Sequence, residues 1–242
     1  MAPPRKLFAV ALVLGCGAAA NPATLYQRGV DDFDGGKMGP AAEDFDGFVA
    51  KACGPGSSNP HCREAYIKLG HARERLGEPG GAWAAYDAAL AFGPHTRDEA
   101  VKADLDRTQT ELVEKNGREA ARSPVIVRYR DEVSETYSPR SVLISLDFEA
   151  VLTKDKDAGE LHAPDFRKVY GGSVPAGEHV LVVETVHDCR PGGGAPCARS
   201  RVRKAWPFKN AAHSPTTIDI RAYDDAGWGD APARPAIEVV AR

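Results

Sequence analysis

The spacing of apolar residues changes once along this chain, at Asn116-Gly117. Ahead of that dipeptide, over residues 23–112, apolar and small residues recur at the three- and four-residue spacing of a helix face. Gly35-Gly36, residues 53–62, the stretch from Gly77 to Gly81 and Gly93-Pro94 interrupt the pattern. Glycine and proline punctuate helices, so the spacing predicts five short helices within residues 22–116. Behind the dipeptide, residues 124–127, 141–153, 167–170, 178–188, 198–208, 216–223 and 237–241 are short, β-branched and bounded by turn residues, which predicts seven strands. A chain that switches period in this way is expected to be a two-domain α+β protein, with α-helical hairpins over 22–116 and an antiparallel β-sandwich over 123–242. Its 242 residues give each part enough chain to bury a core.

One pattern occurs twice in the helical part. Tyr66, Leu69, Gly70, Gly77, Ala82, Tyr86, Ala89 and Pro94 have the offsets at which small residues let two helices pack closely and a proline ends the second. These positions resemble a tetratricopeptide repeat, with a departure at Arg73, where that family favours an aromatic residue. The same offsets upstream meet Leu25, Gly29, Gly36, Ala41, Phe45 and Phe48, in a more degenerate unit that departs at Arg28 and Asp32. Gly29 and Gly70 are 41 residues apart rather than 34, and the surplus falls in the loop between Cys53 and Cys62, where repeats tolerate insertion. Residues 96–115, with Val101, Leu105, Leu112 and Val113 on one side, look like a capping helix. The resemblance implies that the first helix of each pair lines a concave face. That face would present Tyr26, Val30, Phe33, Asp34, Glu64, Ile67, His71, Glu74 and Arg75 to an extended peptide or a partner helix. Tyr26, Val30 and Phe33 equally suit a core covered by the N-terminal segment, and His71 suits a surface histidine.

Arg5 and Lys6 precede nine apolar residues, 7–15, which are too few to span a bilayer and match the core of an export signal. Two processing sites compete within residues 1–20. Ala18-Ala19-Ala20 offers cleavage after Ala20, whereas Leu12-Val13-Leu14-Gly15-Cys16 resembles a bacterial lipobox, departing at Leu14 from the small residue favoured there. The second resemblance implies that Cys16 is a lipid anchor, and Gly17 resembles the context that sorts lipoproteins to the outer membrane. Of five cysteines, Cys53 with Cys62 and Cys189 with Cys197 bracket loops rich in glycine and proline and leave Cys16 over, as expected of two local disulfides and one lipidated thiol. The intervening runs of eight and seven residues miss the spacing of zinc ligands. Either processing route places the mature chain in the cell envelope, on the periplasmic side of the outer membrane or at the cell surface, where disulfides persist.

In the strand-rich part, Ser173-Val174-Pro175-Ala176-Gly177-Glu178-His179-Val180-Leu181 resembles a turn of PEGA-type and related immunoglobulin-like modules of bacterial envelope proteins. If Cys189 and Cys197 face each other across a hairpin, Val180 and Val182 meet Trp206 and Lys204, while His187 and Thr185 meet Arg199 and Arg201. Arg199, Arg201 and Arg203 alternate along one strand with Arg190 nearby, a row suited to a polyanion such as lipopolysaccharide and, more commonly, to a solvated sheet face or a protected edge. Trp228 suits a sugar-stacking platform or packing on its own domain. Asp224, Asp225 and Asp230, and Asp155, Asp157 and Glu160, lack the spacing of a calcium loop and read as turn chemistry.

No phosphate-binding glycine loop, HExxH or GxSxG motif occurs, so no catalytic residue, cofactor or metal site is expected and the chain reads as no enzyme. A formal charge of −3 gives no electrostatic reason for nucleic acid as a partner. With 43% hydrophobic and 27% charged residues the chain is neither a multi-span membrane protein nor disordered. The expected function is a non-enzymatic envelope lipoprotein that meets the membrane through its anchor and binds a protein partner through the helical groove. The alternative is an envelope polysaccharide or polyanion binding protein using Arg199, Arg201 and Arg203, with an enzyme of the cell wall behind both.

Overall fold

A computed structural model describes residues 21–54, 57–133, 136–155, 163–189, 199–225 and 234–242. The expectations placed on residues 1–20, Asp157, Glu160, Arg190, Cys197, Trp228 and Asp230 lie outside the described residues. Five helices come first: α1 (Pro22–Asp34), α2 (Met38–Ala52), α3 (Cys62–Arg75), α4 (Pro79–Leu90) and α5 (Asp98–Arg118). Eight strands follow among the described residues: β1 (Arg122–Asp131), β2 (Tyr137–Leu146), β3 (Glu149–Asp155), β4 (Ala163–Pro175), β5 (Gly177–Cys189), β6 (Ser200–Asn210), β7 (Thr216–Asp225) and β8 (Arg234–Ala241). The layout is α+β, with helices N-terminal and strands C-terminal.

The two leading hairpins share one internal arithmetic. Gly36 (φ 77°) and Gly77 (φ 71°) make the turns, in a backbone region that side chains disfavour. Seven residues before each turn, a helical glycine admits a ring of the partner helix: a Cβ on Gly29 would lie 2.9 Å from the Phe45 ring, and one on Gly70 would lie 2.4 Å from the Tyr86 ring. Asn21 caps α1 by accepting from the Ala23 N–H at 3.0 Å, with Pro22 in the first turn. A disulfide, Cys53–Cys62, joins the end of α2 to the start of α3. Arg73, a departure from the repeat pattern that the sequence resembles, ties the hairpins together. Its guanidinium donates to both Asp46 oxygens on α2, at 2.7 and 2.6 Å, and to the Gly81 carbonyl at 3.1 Å.

The strands form two four-stranded sheets, ordered β4-β1-β7-β8 and β3-β2-β5-β6. Val125, Val127 and Tyr129 of β1, Ile144 of β2, Leu181 and Val183 of β5, Ile218 and Ile220 of β7 and Ile237 of β8 meet in one core to which both sheets contribute. Three details correct the sequence reading. Residues 141–153 make two strands rather than one, because Asp147 (φ 48°) and Phe148 (φ 72°) turn the chain in a conformation usually left to glycine and asparagine. β1 and β7 run parallel, with Val125 opposite Thr216 and Arg130 opposite Arg221, so the first sheet is mixed rather than wholly antiparallel. The β5–β6 pairing is shifted by one residue from the expected register, which sets Val180 opposite Pro207, Val182 opposite Ala205, Thr185 opposite Val202 and His187 opposite Ser200. A shift of one exchanges faces. Val180 and Val182 therefore pack with Trp83 of α4 and Leu112 of α5, while Trp206 and Phe208 pack against the core shared by the sheets.

Candidate functional site

On the α3 half of the expected concave face, α5 and the residue before it engage Glu64, Ile67, His71 and Glu74, of which Glu64 and His71 stay partly exposed. Arg97 lies 3.7 Å from Glu64, Val101 packs with Ile67, Asp104 meets the His71 ring at 3.3 Å, and Arg107 pairs with Glu74 at 2.6 Å. Ile67 is buried, and Glu74 also accepts from the Tyr86 hydroxyl at 2.6 Å. Burial first, then the Glu74 hydrogen bond, pushes the Tyr86 phenol far above its ordinary range. Ile67 and Glu74 thus hold helices together instead of facing a ligand.

The α1 half stays accessible. Tyr26 stacks on His61 with ring centres 4.5 Å apart and packs against Phe45 and Phe48. Phe33 is half-buried, with the Lys68 ammonium 4.7 Å and the Arg75 guanidinium 5.5 Å from its ring centre. Asp34 is mostly exposed, 3.8 Å from Lys68. The crossing of α1 and α3 brings Phe33, Asp34 and Arg75 together, beside half-buried Val30 on α1. Lys68 belongs with them and was not legible in sequence, because it falls outside the offsets expected to line the concave face and reaches Phe33 only through the helix crossing.

The arginine row is balanced by carboxylates. Arg199 donates to Asp188 at 2.7 Å, Arg201 to Glu184 at 2.8 Å, and Arg203 to Asp87 of α4 at 3.0 Å. Hydrogen bonds from Arg140 and Arg199 hold the Asp188 carboxyl below its usual range. Arg203 serves the contact between helices and strands.

That contact contains a second polar cluster. Glu178 is buried and accepts from the Gly81 N–H at 3.0 Å, at the start of α4, which has no side-chain cap of its own. Asn116 of α5 donates to the Glu178 carbonyl at 3.1 Å, and the buried His179 ring lies 2.6 Å from Asp147 and 2.8 Å from the Pro175 carbonyl. A cleft of about 440 Å³ opens beside it, lined by Leu76, Glu78, Lys115, Glu178, Lys209 and Asn210. Its charges are engaged: Lys209 pairs with Glu78 at 2.9 Å and Lys115 donates to the Gly77 carbonyl at 3.1 Å.

Inside the strand core, His187 lies 3.2 Å from Asp131, which also accepts from the Tyr129 hydroxyl at 3.0 Å and the Val133 N–H at 3.1 Å. Burial pushes the Asp131 carboxyl up, but His187 and the other donors outweigh it and hold it below its usual value. Neither side chain of the pair reaches solvent, so it is built as core rather than as an open acid–base site. Cys189 is disulfide-bonded, and Cys197, the partner expected for it, lies outside the described residues. Among the described residues no group of three histidine, cysteine or carboxylate side chains is placed to hold a metal ion, and no helix is long and apolar enough to cross a membrane. No protein-family model matches this chain, and no curated protein matches it.

Proposed function

We propose that this is a non-enzymatic lipoprotein of the bacterial cell envelope, anchored through Cys16, whose helical part binds a protein partner. In this reading the two hairpins are tetratricopeptide-like repeats, α5 is their cap, and the two sheets form a β-sandwich akin to PEGA-type or immunoglobulin-like modules. The duplicated glycine and ring pairs, Gly29 with Phe45 and Gly70 with Tyr86, support the repeat assignment. The observation that carries the binding role is the accessible patch at α1 and α3, where Phe33 lies beneath Lys68 and Arg75 next to exposed Asp34. An aromatic anchor rimmed by both charge signs suits a peptide segment held in one register. Because α5 engages Ile67 and Glu74, the docking surface is narrower than the whole concave face.

The polyanion reading through Arg199, Arg201 and Arg203 has less support, since Arg203 is committed to Asp87 of α4 at the contact between helices and strands, which takes one of the three out of the row. Crosslinking and co-purification from native envelopes tests the main reading, comparing the wild-type chain with Phe33→Ala combined with Lys68→Ala after both are shown to fold. Loss of one defined protein in the variant is expected. Recovery of the same protein from both sinks the patch as the working surface. A Cys16→Ser chain should leave the membrane fraction, and its retention there would remove the anchor.

A further inference from the structure

We propose that the outer face of the β4-β1-β7-β8 sheet binds an acidic polysaccharide, through a two-arginine site that Glu132 occupies in the absence of ligand. The helices α4 and α5 pack on β5 and β6 of the other sheet, which leaves this face without a helical cover among the described elements. β1 alternates cleanly: Val125, Val127, Tyr129 and Asp131 are buried inward, and Arg128 and Arg130 point outward. Arg130 stands opposite Arg221 on the neighbouring parallel strand. Two like charges in register repel each other unless an anion lies between them. Glu132 lies between them, 3.0 Å from Arg130 and 3.6 Å from Arg221, with a third of its side chain exposed, and Glu238 of β8 meets Arg221 at 2.9 Å from the other side.

Aromatic rings flank the pair. Phe166 lies 4.4 Å from the Arg130 guanidinium and 5.3 Å from that of Arg128, while Arg221 covers the Tyr223 ring at 4.7 Å. Across the middle of the face, Arg128, Arg130, Lys168, Arg221 and Arg242 outnumber Glu132, Asp219 and Glu238, on a chain whose formal charge is −3. The local excess of positive charge favours an anionic partner. Stacking against the rings holds the guanidinium planes in place, and each plane matches a carboxylate with two parallel N–H donors. From Phe166 on β4 to Tyr223 on β7 the strip crosses two strand spacings, about 10 Å, the length of about two sugar units. A uronate polymer repeats one carboxylate per ring and offers C–H faces to the aromatic edges. Glu132 mimics one such carboxylate, and the ligand displaces it. This inference does not depend on the helical patch.

Calorimetric titration of the purified full chain at low salt tests it, with polygalacturonate as probe and neutral dextran, polyglutamate and single-stranded DNA as comparisons. The wild-type chain should bind polygalacturonate and not dextran, and Glu132→Gln should tighten binding about tenfold by removing the carboxylate that Arg130 and Arg221 share. Arg130→Gln with Arg221→Gln should abolish binding, while Arg199→Gln on the other sheet should not change it. Tyr223→Ala should weaken polygalacturonate more than polyglutamate. Should the double arginine variant fail to fold, Glu132→Gln and Tyr223→Ala still decide the matter. The proposal is overturned by absence of binding in both wild type and Glu132→Gln, by a Glu132→Gln affinity equal to wild type, or by polyglutamate or DNA binding as tightly with Tyr223→Ala without effect.

Discussion

Gly70 has no room for a side chain, since the ring of Tyr86 lies where a Cβ would be. Gly70→Ala gains helix propensity of about 1 kcal/mol but forces the hairpin apart, and overpacking of this kind costs about 1–3 kcal/mol. A net loss of stability in urea denaturation is expected, with a larger loss when Ala is replaced by Val. Stabilisation by Gly70→Ala would show that α3 and α4 can separate at no cost. The glycine was legible because its reason is local: it recurs at the same offset from a turn glycine and from an aromatic residue in both hairpins, Gly29-Gly36-Phe45 and Gly70-Gly77-Tyr86. Arg73 was legible only as a departure. Its partners, Asp46 and the Gly81 carbonyl, come from two other helices and leave no mark at a fixed spacing.

Among the elements, the helix boundaries follow from glycine and proline, and the strands from β-branched runs, but pairing does not follow from either. β5 carries buried apolar residues at consecutive positions from Val180 to Val183, so alternation cannot say which of them face the helices. The parallel β1–β7 pair and the Arg130–Glu132–Arg221 cluster join residues about ninety positions apart and had no sequence signal. The cysteine pair at α2 and α3 is the opposite case, a short loop whose ends were readable. Replacing Cys53 and Cys62 together by serine opens a loop with a separation of 9 residues. It should cost about 2–3 kcal/mol, seen as a lower thermal midpoint under non-reducing conditions. An unchanged midpoint would mean that Arg73 and the helix contacts already hold the two hairpins in place.

At the scale of the whole molecule, the helical and strand-rich parts are joined by Trp83, buried among Phe148, Leu112, Val180 and Val182. Trp83→Ala removes the largest side chain of that contact and should destabilise by about 3–5 kcal/mol. It should also split a single unfolding transition into two, when helical signal and strand-core fluorescence are followed separately; one coincident transition in the variant would show that the polar contacts suffice to couple the parts. The accessible patch at Phe33 was half-legible for a related reason. Its residues follow from a repeating offset, yet the reach of α5 over Ile67 and Glu74 depends on how α5 crosses α3.

Glu178 accepts from the Gly81 N–H across 97 residues of chain. Synthesis delivers the N-terminus first, so α4 emerges with open N–H groups before the strand that satisfies them. The second hairpin therefore has an incomplete end until β5 arrives. The helical part is left loosely closed while the chain is still being made, and its final setting waits for the strands to fold.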